Sequence, residues 1–233
     1  MKYNNNFAKY YDLLFPLTDK KKQILDRFSE GKQSILDFGC ATGAAVKYLE
    51  DKSKTVIGID INPAMKEHGH TESILILDGK DVDRLEETFD GIYSLGNVLP
   101  SFNEEESVKV LKKIYDKLTP GGELMLEILN YNRILSQQIG KLPDIVLDKG
   151  DIVFNRELLI DPNNEYIHFY TSLRVVPNYY HGHAILYPVL PNQLKDLLEN
   201  TGFEIINECG SEVNSQFDPN LSVHYRIVGR KPN

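Results

Sequence analysis

The sequence predicts an α/β fold in which a mostly parallel sheet carries helices on both faces and an antiparallel β segment is inserted into it. Two observations carry this reading. From residue 33 onward, short apolar runs alternate with amphipathic stretches, the rhythm of parallel strands joined by helical crossovers. Across residues 144–188 the rhythm stops, and β-like segments follow one another with only turns between them.

The first thirty residues read as one or two helices packed outside the sheet. Ser34–Phe38 is a buried strand, followed by a glycine turn and a helix over Ala44–Asp51. Thr55–Ile59 is the second strand, ended by Asp60; Ile74–Leu77 is the third and Phe89–Leu95 the fourth. A helix over Glu104–Lys117 places Val108, Leu111 and Ile114 on one stripe, closed by Leu118. Thr119, Pro120, Gly121 and Gly122 break it, and Glu123–Leu129 is the fifth strand. Asp151–Ile160, Tyr166–Val175 and His181–Tyr187 form the antiparallel insertion, the first two joined by a turn over Asp161–Asn164. Pro191–Thr201 returns to helix, and Gly202–Glu208 and His224–Gly229 close the chain as strands. The expected division is therefore N-terminal helices over 1–32, an α/β core over 33–140 and 189–233, and an inserted antiparallel β unit over 141–188.

The bulk properties narrow the classes of function. The chain has 233 residues and a formal net charge of −8, with 41% apolar and 26% charged residues, an ordinary globular balance. No apolar run approaches the roughly 20 residues that span a bilayer, and the first residues lack the apolar core of a secretory signal. Cys40 and Cys209 have no metal-ligand spacing, so a reduced, cytoplasmic setting is expected. The densest basic cluster, Lys20, Lys21 and Lys22, lies beside Asp19 and Asp26 and reads as a solvated helix face. Neither nucleic acid nor membrane is an expected partner.

The chemistry concentrates in the turn from Asp37 through Gly39 to Gly43. Glycines there let backbone approach a ligand closely, with helix N-terminal amides facing the same crevice. The spacing is not the G-x-G-x-x-G of a dinucleotide site, and Asp37 would repel a pyrophosphate while attracting an ammonium or sulfonium. The plain alternative is a tight turn that needs two glycines.

With those residues in place, the sequence resembles the class I S-adenosylmethionine-dependent methyltransferases. The resemblance implies a Rossmann-like, seven-stranded, mostly parallel sheet with an antiparallel last strand. In that family a turn of this pattern approaches the methionyl part of the cofactor, which assigns Asp37, Gly39, Cys40, Ala41 and Gly43. The acid ending the second strand, here Asp60 followed by Ile61, holds the ribose hydroxyls. Met65 is placed against adenine or, equally, in plain core packing. An acid near the adenine amino group falls on Asp81 with Val82, Asp78 competing. Leu95, Gly96 and Asn97 follow the fourth strand, where cofactor and substrate meet.

A narrower similarity, to the glycine and sarcosine N-methyltransferase branch, rests on Leu95–Leu99, Leu118–Glu123 and Leu129–Leu135, and implies that Asn130 points at substrate. That branch holds an amino-acid carboxylate with an arginine shortly before a Tyr-Pro pair. Ahead of Tyr187 and Pro188 this chain has His183 and His181 instead, with Arg174 as a possible substitute, so glycine is a poor candidate substrate. His183 is either a general base or a surface residue. No metal is expected, since His181 and His183 lack an evident third ligand. Tyr11 matches the family's lid helix, where a tyrosine covers the cofactor or packs on the sheet. The expected function is methyl transfer from S-adenosylmethionine to N or O of a small molecule, by a monomer or homodimer with Tyr11, Asn130 and His183 as candidate catalytic residues. A cofactor-binding regulatory scaffold and a nicotinamide-dependent oxidoreductase are the competing readings.

Overall fold

The structure is a computed structural model that describes residues 5–211 and 215–233. Three short N-terminal helices, α1 (Asn5–Ala8), α2 (Tyr11–Leu14) and α3 (Asp19–Ser29), precede an alternating run. That run comprises β1 (Ser34–Phe38), α4 (Ala44–Glu50), β2 (Thr55–Asp60), α5 (Pro63–Glu67), β3 (Ile74–Ile76), β4 (Phe89–Ser94), α6 (Glu104–Lys117) and β5 (Leu118–Leu129). After α7 (Tyr131–Ser136) come β6 (Lys141–Leu147), β7 (Ile152–Ile160), β8 (Ile167–Val175) and β9 (Asn178–Leu186). The chain then forms α8 (Pro191–Thr201), β10 (Glu204–Cys209) and β11 (His224–Arg230).

The first sheet has seven strands in the order β10-β11-β5-β4-β1-β2-β3, with β11 antiparallel to both its neighbours. From β1 the chain winds outward to β2 and β3, then returns to β4 on the other side. The strand order thus reverses between β1 and β4, and the carboxyl ends of those strands diverge into a crevice, the usual place for a ligand in an open α/β sheet. Side chains alternate across the sheet, so Leu36, Ile92, Leu124 and Leu126 pack against α6 and α8, while Ile35, Tyr93 and Met125 pack against α3 and α4.

Local chemistry sets the helix boundaries. Thr18 caps α3 by accepting from Lys21 N, and Asn103 with Glu106 forms a reciprocal capping box at α6. The buried stripe of α6 is Ser107, Val110, Leu111 and Ile114; Val108, expected inside, is 47% exposed. The stripe starts one residue earlier than the apolar pattern suggested, because the small Ser107 hydroxyl satisfies itself on Phe102 O. The strand expected from Glu123 begins at Leu118, since backbone around Gly121 and Gly122 pairs with Lys231 across the sheet.

The second sheet is antiparallel, in the order β6-β7-β8-β9. Its first strand contains Pro143, which an edge strand tolerates, and a register irregularity falls between Leu142 and Ile145. One face is buried through Phe154, Leu158, Ile167, Phe169 and Leu173. Phe154 meets Phe7 and Phe15 of the N-terminal segment at ring distances of 5.1 and 5.8 Å. Leu158, Ile167, Phe169 and Leu186 join the core of the first sheet. The opposite face exposes Tyr170, Tyr179 and Ile185. Among the described residues, no helix is long and apolar enough to cross a membrane.

Candidate functional site

Two chambers open at the β1/β4 crevice, with Tyr11, Gly39, Leu95 and Gly96 lining both. The first has a cavity volume of about 370 Å³ and the second about 470 Å³. Each is of the size that small-ligand pockets take.

The second chamber is built from the ends of β1, β2 and β3. Apolar walls come from Ile59, Met65, Leu77 and Phe102, with Ile61 at the exposed rim. Asp60 supplies the anion. Its Oδ2 accepts from Ala41 N at 3.0 Å and its Oδ1 from Asn62 N at 2.9 Å, which fixes the carboxylate while it still lines the cavity. Burial pushes its pKa up, partly offset by those backbone bonds. A fixed carboxylate beside apolar walls suits a vicinal diol next to a flat heterocycle.

The first chamber holds the inner part of the turn. Asp37 is buried, and its Oδ2 accepts from the Tyr93 hydroxyl at 2.9 Å. Burial raises its carboxyl to about 7, Tyr93 opposing and Asp60 adding to the rise. A cation bound beside Asp37 would relieve this penalty, which is the attraction expected for an ammonium or sulfonium. Gly39 has φ +85°, and a Cβ there would lie 2.6 Å from Val98 Cγ2, so backbone alone fits the cradle. Cys40 lines the same chamber, where burial and the two aspartates push its thiol well above the ordinary range.

Several predicted residues are placed otherwise. Gly43 lines neither chamber; it sits at φ +70° as the N-cap of α4, where a Cβ would meet Ile74 Cδ1 at 2.7 Å. Asp81 and Val82 occupy a 3₁₀ turn over Gly79–Arg84, with Val82 in the core and Asp81 turned toward Arg84 outside the lining. Asp78, the competing acid, caps that turn through Lys80 N and lines the second chamber.

Asn130 is 1% exposed and fully engaged: it caps α7 through Arg133 N and donates to the carbonyls of Asp218, Pro219 and Ser222. It holds a loop rather than facing the cavity. His183 lies on the outer face of the second sheet, stacked on Tyr170 at 4.7 Å and 3.0 Å from His168 Nδ1. Arg174 shares that face and donates to Gly150 O. Among the described residues, no three His, Cys, Asp or Glu side chains are placed to share a metal ion.

Asn97 lines the first chamber with φ +67°, and its amide bridges the Tyr131 hydroxyl at 2.9 Å and Leu129 N at 3.0 Å. Among the lining residues that the sequence reading did not single out as site residues are Lys21 from α3, Glu127 from β5, Arg156 from β7 and His224 from β11. Above the turn, Asp12 accepts from the Thr42 hydroxyl at 2.6 Å and meets His70 Nε2 at 2.9 Å, tying α2 to the turn.

An open sheet with its switch point between β1 and β4, an antiparallel strand inserted beside β5, and acids placed before the glycine turn and at the end of β2 together define a class I S-adenosylmethionine-dependent methyltransferase. A methyltransferase-domain family model matches residues 8–208, and the chain belongs to that family. It is 27% identical over 150 residues to the 18S rRNA (guanine-N(7))-methyltransferase of Bos taurus, an overlap of 56% of this chain and 53% of that protein. The chain spans about half the length of the curated relatives it matches. In fold it is similar to an S-adenosylmethionine-dependent methyltransferase from Clostridium acetobutylicum, with TM-score 0.81, 17% identity and coverage of 98% of this chain and 99% of that one. It is also similar to an aminopentose methyltransferase from Micromonospora echinaspora with bound S-adenosylmethionine, with TM-score 0.73, 16% identity and coverage of 99% and 98%.

Proposed function

We propose that this chain transfers the methyl group of S-adenosylmethionine to nitrogen or oxygen of a small molecule held between the two sheets. The observation that carries this reading is the division of the crevice into two chambers that meet at Gly39, Leu95 and Gly96. The cofactor would place its adenosine in the second chamber, against Met65 with its ribose on Asp60. Its methionyl end would cross the waist to Asp37, leaving the rest of the first chamber to substrate.

Bound, the cofactor supplies a methyl group already activated by the sulfonium. The chain's own task is to orient and desolvate, an effect worth up to roughly 7–11 kcal/mol when geometry is favourable. Tyr11 and the second sheet form the roof that would exclude water, acting as lid and cap. Leu142, Ile145, Phe169 and Leu186 give the substrate an apolar wall with one cation, Arg156, set into it. Arg156 stands 5.8 and 5.7 Å from the ring centres of Phe15 and Phe154, a position that favours an acceptor or acidic group on the substrate.

The rRNA acceptor of one relative motivates a second reading, in which a nucleic-acid base enters this chamber. The net charge of −8 disfavours it, because nucleic-acid affinity rests on cationic neutralisation of phosphates. Calorimetry against S-adenosylmethionine, S-adenosylhomocysteine, NAD and NADP tests the cofactor, and micromolar binding of the first two alone is expected. Methyl incorporation from labelled cofactor then sorts amines, aminosugars and phenols from ribosomal RNA. Incorporation into RNA alone would overturn the small-molecule assignment.

A further inference from the structure

The sheet geometry brings one histidine to the chamber. Because β11 is antiparallel, its first residue stands beside the last residue of β5: His224 pairs with Leu129, and Asn130 N donates to Val223 O. Leu129 N in turn donates to Asn97 Oδ1. Asn97, Leu129 and His224 thus form one rim at the carboxyl ends of β4 and β5. The chain has six histidines, and among the described residues His224 alone lines either chamber.

We propose that His224 takes the proton from the incoming nucleophile, an inference that rests on the methyl-transfer reading above. The nucleophile's N–H or O–H bond breaks, its electron pair stays to attack carbon, and the proton passes to an imidazole nitrogen and then to water in the open chamber. Breaking the carbon–sulfur bond sends its own pair to sulfur, so the exchange needs no further reactant.

The surroundings suit a neutral acceptor. Burial is the main influence lowering the His224 pKa; Glu127 opposes it, while Arg226, Lys20 and Lys21 reinforce it. Glu127 is itself bound by Arg226 Nε at 3.1 Å in a buried pair, which leaves its carboxylate occupied. Asp12, Asp37 and Arg156 are the remaining charged groups facing the chamber. Asp37 is taken by the Tyr93 hydroxyl and lies at the turn. Asp12 is engaged by the Thr42 hydroxyl and His70, so His224 is left as the acceptor on the substrate side, where Arg226 and Lys21 disfavour its protonated form.

The test uses the full chain with His224→Asn and His224→Gln, each checked by thermal melting. Histidine-selective NMR with S-adenosylhomocysteine and millimolar ethanolamine, tyramine or glucosamine should move the His224 resonance. A His224 signal unmoved by cofactor product and every amine overturns the assignment, whether or not any amine is methylated. On whichever amine is methylated, His224→Asn should lower kcat by about 10²-fold or more with KM little changed. Its rate should then climb about tenfold per pH unit as free amine accumulates, until the amine's own pKa. A variant within threefold of the parent and with an unchanged pH profile overturns the proposal. If S-adenosylhomocysteine binds but no amine is methylated, the amine-substrate reading fails separately.

Discussion

The two chambers differ in how far apart in the chain their walls lie. Most of the second is drawn from one run, residues 38–102, where strand ends and the turns directly after them place Asp60, Met65 and Asp78 together. The first is assembled from α2, α3, β1, α4, β4, β5, β6, β7, β8, β9 and β11, elements spread from Tyr11 to His224. A ligand in the second chamber therefore meets a surface set by local backbone. A ligand in the first meets a surface set by how two sheets and the N-terminal helices pack. Cofactor recognition should accordingly withstand changes in the roof, while substrate recognition should follow them.

The sharpest way to break this contrast is at Asp60. Asp60→Ala removes a fixed, charge-assisted acceptor for two hydroxyls, and S-adenosylhomocysteine affinity should fall by about 10²-fold or more. Unchanged affinity by calorimetry would remove the ribose from this chamber. Next comes Asp37→Asn, which keeps an acceptor for Tyr93 and removes the charge. Cofactor affinity should fall about tenfold at pH 8.

In the parent, Asp37 is raised to about 7, so cofactor affinity should strengthen as pH rises through that value, and the variant's should stay flat. The unliganded fold responds the other way. With a folded pKa of about 7 above an ordinary value near ~3.9, the carboxyl's contribution to stability is complete below the ordinary value. It is lost as pH rises through 7, so denaturant titration at pH 8 should find Asp37→Asn more stable than the parent by about 1 kcal/mol or more. The smallest effect on cofactor is expected at Arg156. Arg156→Met should leave S-adenosylhomocysteine affinity within about twofold, since no new charge is buried, while raising KM for a substrate with an acidic or acceptor group. A large loss of cofactor affinity would mean that the chambers are not separate.

The same contrast explains what was legible in the sequence. The turn from Asp37 to Gly43 and the acid ending β2 are short-range patterns, and they were readable because backbone geometry alone positions them. The alternation of strands and helices foretold a mostly parallel sheet with helices on both faces for the same reason, and the resemblance supplied its seven strands. Of the two roles open to His183, the surface one matches its place, because strand faces alternate: Tyr180, Ala184 and Leu186 turn inward, and a single step of register puts His183 on the far side. Asn130 sits at the right strand end, but the loop around Asp218–Ser222, nearly ninety residues on, claims its amide. His224 carried an available signal, since an antiparallel last strand begins where the parallel strands end. Arg156 carried none, because its place depends on how the second sheet docks on the first.

Gly39 has a consequence for anyone wishing to change what this protein accepts. Two independent restraints hold that position: the backbone lies at φ +85°, and Val98 stands where a side chain would begin. Trimming Val98 would lift the second restraint and leave the first untouched. Position 98 can thus change while the turn facing it cannot, and new acceptor specificities are best sought along the inner face of the second sheet, which walls the first chamber. The turn is the fixed die and the walls around it the replaceable mould.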